Sequence, residues 1–298
     1  MPDHRDHRDE ARRHRKHCRK HIEVRKLSLC CFFVLLFTAT GIHEILGQSQ
    51  IYNLLFNSSY NVTGLDFRTG TPSVYYTNTQ SNGSLGEGLA HMEDKNGDLL
   101  FYVNSSGVYD KNYDMMPGSN GILANASSAE INVCQVPGNT NKYYIIYNKV
   151  NCDPLYYSIV DMTKRSGLGD VTTLNYKFES SDHAEGLEVV VKEEGESYWL
   201  LAYKCKTGLV RFLIDSAGIH SSTLIYSYNT STSQFELDYH KGYLVCAFND
   251  INGGAMVGTF NSSTGNLSNV RFISGIKFFG AELSPDTSKV FFSKWYLN

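Results

Sequence analysis

Proline is scarce in this chain, 6 of 298 residues, and beyond the first fifty residues no stretch keeps apolar positions at helical spacing. Both features favour strands over helices. A spanning helix needs ~20 consecutive apolar residues, and the one apolar run, Leu29 to Ala39, is 11 long. Basic clusters are missing after residue 47, where 17 Lys/Arg face 24 Asp/Glu. Phosphate-tracking proteins need a basic stripe, so nucleic acid is excluded as a partner. No CxxC spacing, HExxH or His-x-His pairing offers a zinc site. GxSxG, P-loop and GxGxxG motifs are absent too.

What the chain has is aromatic and turn-rich. Tyr (20), Phe (16) and Gly (25) are abundant, and such residues suit half-buried pleated surface and tight turns. Residues 1–26 are different, with ten Lys/Arg, five Asp/Glu and five His. A basic start, a short apolar run and a small-residue stretch from Gly41 to Gln48 form the pattern of a secretory signal peptide. The expectation is a leader over 1–47, cleaved near Gly47 or kept as a membrane anchor, followed by one domain over 48–298. The domain holds Cys134, Cys152, Cys205 and Cys246. Cys134 with Cys152 is the candidate bridge, while Cys205 and Cys246 sit at apolar strands and read as core.

A repeat runs through the domain. Apolar strands begin at Leu99, Tyr143, Tyr198, Tyr243 and Val290, spaced 44, 55, 45 and 47 residues apart, close to the ~40–50 of propeller blades. Each follows a polar turn, such as Asp94 to Asp98 or Ser284 to Ser288. Most are followed by a third strand, such as Leu209 to Ile214, and some by a Gly-bearing turn and an outer strand. Four strands joined by short turns make one blade. The second strand of each unit is apolar throughout, as expected where both sheet faces are covered. The fold class predicted is therefore all-β, a β-propeller of about five four-stranded antiparallel units. These lie near 88–127, 130–178, 187–228 and 235–273, with two strands of a fifth at 280–294. Ile51 to Tyr76 would supply the strands that complete the last blade. Otherwise the ring is part of a longer one.

The runs Gly64 to Phe67, Asp98 to Tyr102, Val108 to Asp110, Met116 to Gly118, Leu155 to Met162, Gly167 to Thr173, Tyr198 to Leu200 and Ala281 to Asp286 carry a resemblance. Together they resemble the propeller-like N-terminal region of Bacteroidota surface proteins associated with gliding motility and type IX secretion. The resemblance covers most of residues 50–294. It implies a secreted or cell-surface location and a non-catalytic adhesive or scaffolding role.

Residue chemistry points the same way. Asp182, His183 and Glu185, with His91 and Glu93, would support acid/base work only if brought together across a central channel. Asp94, Asn96 and Asp98 resemble the opening of a calcium loop, but Ser105 stands where its bidentate Glu belongs, so a hairpin turn is expected. Eight Asn-x-Ser/Thr sequons occur in the domain, in keeping with its Asn/Ser-rich composition. The expectation is an exported binding propeller that is not an enzyme, with no catalytic, cofactor or metal residues. A protein or carbohydrate would be its ligand, and membrane contact would come only through an uncleaved leader. The alternative is a propeller hydrolase or lyase acting on polysaccharide.

Overall fold

The computed structural model describes residues 53–57, 62–68, 71–76, 88–124, 131–149, 152–193, 195–230, 235–249, 253–274 and 276–294. The expected leader, 1–47, lies outside them, as do the sequons at Asn61, Asn82 and Asn125. Among the described residues no helix is long and apolar enough to cross a membrane.

The order of elements is that of a propeller. A first sheet holds β1 (Asn53–Asn57), β2 (Val62–Asp66) and β3 (Ser73–Tyr76); a second holds β4 (Leu89–Glu93), β5 (Leu99–Asn104) and β6 (Gly107–Asp110). The third blade contains β7 (Asn132–Gln135), β8 (Lys142–Asn148), β9 (Asp153–Asp161) and the first half of β10 (Asp170–Val191). The second half of β10 opens the fourth blade, with β11 (Tyr198–Lys204), β12 (Gly208–Asp215), the short β13 (Gly218–Ile219) and β14 (Thr223–Ser227). The fifth is β15 (Phe235–His240), β16 (Tyr243–Phe248), β17 (Gly254–Asn261) and β18 (Asn266–Ser274). β19 (Gly280–Leu283) and β20 (Val290–Ser293) form the last described sheet. Strands next to each other in sequence pair antiparallel within each sheet, except that β14 pairs with β12 past the short β13, and the opening strands β1, β4, β7, late β10, β15 and β19 pack one beside the next.

The all-β propeller and its repeat are thus as the sequence predicts, but the described strands form six units instead of about five, β19–β20 being the sixth, and the difference lies at the N-terminus. β1 to β3 do not pair with β20 among the described residues; they form their own sheet, and Leu55 packs on Tyr102 and Tyr109 of the second blade. A three-stranded meander satisfies its central strand's ladder alone, so it has no need of β20.

The apolar second strands explain the stacking. On β8, Tyr143, Ile145 and Tyr147 face the core shared with the second blade, while Tyr144 and Ile146 face the core shared with the fourth. Each fully buried side chain of this size contributes ~1.5–3 kcal/mol. A strand apolar on both faces can be sheltered only between two sheets.

The cysteine assignment is corrected. Cys205 is bonded to Cys152, 53 residues away, and Cys134 is a free buried thiol like Cys246. Cys134 lies on the face of β7 turned to the fourth blade, within the core there. Cys152 and Cys205 occupy the β8–β9 and β11–β12 connections, which meet across the blade junction.

Candidate functional site

The polar chemistry gathers on the opening strands. Of nine buried Asp, Glu and His side chains among the described residues, seven lie on β4, β10, β15 or β19; the others are Asp110 and Asp161. Some of these groups serve blade stacking. Asp238 accepts the Leu283 backbone N–H at 2.7 Å, tying the fifth blade to the sixth.

His183 has a different setting. β10 leaves the β9 ladder and joins the β11 ladder at this residue, which pairs with Asp153 on one side and Lys204 on the other. The register shifts on both sides of it, and such bulges re-aim side chains. The bend is held from two directions. The Asn148 carboxamide donates to the Ala184 carbonyl at 2.8 Å and to the His183 carbonyl at 3.3 Å. The Cys205 N–H donates to the Asp182 carbonyl at 3.0 Å.

The imidazole is fully buried, with the Phe212 ring 5.9 Å away. Its Nδ1 lies 2.8 Å from the Ser181 carbonyl, and its buried Nε2 has no hydrogen-bond partner. A carbonyl only accepts, so Nδ1 carries the proton. Burial also pushes the pKa below the ordinary value of 6.5. The ring is therefore neutral near neutral pH, with a bare lone pair on Nε2. Asn148 Oδ1, also buried and unpartnered, is a second acceptor at the same junction.

The residues singled out in the sequence fall into two groups. Asp182, His183 and Glu185 share the bend, Asp182 exposed and the other two buried. His91 and Glu93 sit on β4 of the second blade and pair with each other, Nε2 to Oε1 at 3.2 Å. The Asp94 turn is the expected hairpin: its Oδ1 accepts from the Asn96 and Asp98 N–H groups. Among the described residues no three His, Cys, Asp or Glu cluster as metal ligands. Asn104, a sequon residue, is buried and accepts from Ser106 N. Asn148 was not anticipated; its place at the end of an apolar strand gave no signal.

No family model and no curated protein matches the chain. Solved structures of similar fold include a putative 6-phosphogluconolactonase from Bacteroides uniformis, at 13% identity and a TM-score of 0.49, covering 81% of this chain and 73% of that one. A gluconolactonase from Xanthomonas campestris matches at 10% identity and a TM-score of 0.44, over 87% of this chain and 84% of its own. A protein from Lactobacillus plantarum matches at 12% identity and a TM-score of 0.46, over 82% and 72%. Likeness at these identities is one of fold. Two of the three are named as lactonases, against the expectation that the chain is not an enzyme; that expectation is withdrawn, while likeness of fold assigns no activity.

Proposed function

We propose that the chain is an exported propeller hydrolase acting on polysaccharide, with His183 as its general base. The observation that carries this reading is the state of that imidazole: its tautomer is set by the Ser181 carbonyl, burial keeps it neutral, and Nε2 is left free to take a proton. A base so arranged can draw a proton from water, raising its nucleophilicity. A series of rings supports the substrate class. It runs from exposed Tyr176 to Tyr157 (4.9 Å) and on to Phe178 (5.9 Å). Phe178 meets Phe212 (5.6 Å), the ring beside His183. Aromatic faces suit the apolar faces of sugars. The Cys152–Cys205 disulfide supports export, since such bonds persist in oxidising compartments. So do the leader pattern of 1–47 and the resemblance to gliding-motility surface proteins.

Turnover of a polysaccharide panel by the wild-type chain and by His183→Gln, in oxidised and reduced protein alike, tests the reading. The variant is expected to lose ~10²–10⁴-fold in kcat/KM. The wild-type rate should fall as pH drops through a midpoint below 6.5, where Nε2 becomes protonated. A full rate in His183→Gln, or a panel without turnover, would sink it.

A further inference from the structure

His183 poses a problem of access, because a base that is fully buried cannot meet a polymer. Its two ladder neighbours are Asp153 and Lys204. The residues next to these, Cys152 and Cys205, are the two joined by the disulfide. The covalent link therefore crosses the strand at His183, tying the connection on one side of it to that on the other. Both half-cystines are half-buried, within reach of solvent. Cys152 is held at φ 58, a left-handed state that non-glycine residues avoid.

We propose that the Cys152–Cys205 disulfide is a reducible clasp that closes the His183 site when oxidised and opens it when reduced. The agent is a dithiol. One of its thiolates attacks one protein sulfur and displaces the other as thiolate; its second thiol then resolves the mixed disulfide. Two protein thiols and an oxidised dithiol result, with sulfur and electrons balanced. Opening is local, because the third and fourth blades stay joined by the unbroken β10 and by the Asn132 carboxamide, which donates to the Leu187 carbonyl at 3.0 Å. The gain in turnover rests on His183 being the base, whereas the opening itself does not.

The test uses the full chain before and after dithiothreitol, with diethylpyrocarbonate to acylate accessible neutral imidazoles and iodoacetamide to mark thiols, both mapped by mass spectrometry. The expected result is His183 modified at least tenfold faster after reduction, with Cys152 and Cys205 alkylated and buried Cys134 and Cys246 spared. A Cys152→Ser, Cys205→Ser double variant should behave as the reduced protein without reductant. Equal His183 modification in both states would overturn the clasp. So would alkylation of Cys134 and Cys246 alongside, since the bond would then be holding up the fold. Faster modification of His183 without turnover would leave the clasp standing and remove the base.

Discussion

Tyr203 shows what a single hydroxyl contributes at a blade junction. Its Oη donates to the Tyr228 carbonyl at 2.5 Å and accepts the Thr230 N–H at 3.0 Å. Tyr203→Phe leaves both backbone groups short of this partner and should cost ~1–3 kcal/mol in urea denaturation. His183 makes stability depend on pH in a fixed direction. Its folded pKa lies below the ordinary 6.5, so between the two values the unfolded chain binds the proton and the folded chain does not. Stability is complete above 6.5, declines as pH falls toward the folded value, and levels off beyond it; in His183→Gln that decline should be missing. The Asp182–Glu185 string was visible in the sequence as acid/base material. Its meaning was not, because burial and tautomer come from Ser181, Asn148 and Phe212, residues that no motif connects. Cys205 was misread for a similar reason. Its apolar neighbours described the strand it ends, while its partner sits on a connection of another blade.

Among the elements, the second strands were the most legible, since β8, β11 and β16 are apolar runs that only two-sided cover can shelter. β10 was the least. Its middle, Glu179 to His183, is polar and reads as a loop between units, yet the ladder continues through it by repeated register shifts. The start of its inner half depends on Gly186, where a Cβ would lie 2.2 Å from the Phe235 carbonyl of the fifth blade. Neither backbone can give way without separating the two opening strands. Gly186→Ala is expected to cost ~1–3 kcal/mol through overpacking, measured as a lower urea midpoint with unchanged slope.

On the scale of the whole molecule, each junction between consecutive blades among the described residues carries a polar cross-link in addition to its apolar core. Arg68 bonds Asp98 between the first two blades, and Arg165 pairs with buried Asp110 between the next two. Trp199 Nε1 donates to the Ser262 carbonyl between the fourth and fifth. These links join residues far apart in sequence, so the repeat period revealed the blades but not what fastens them. The Asp238–Leu283 link predicts a local effect. Asp238→Ala should cost ~1.5–3 kcal/mol and speed amide exchange in β19 and β20 before the other sheets. The unbroken β10 has a consequence of another kind. In a repeat array, modules usually melt at the loops between them, but the third and fourth blades have no loop there to serve as a seam. They are bound to act as one cooperative block, losing their amide protection together, and a cut within residues 179–186 would dismantle both.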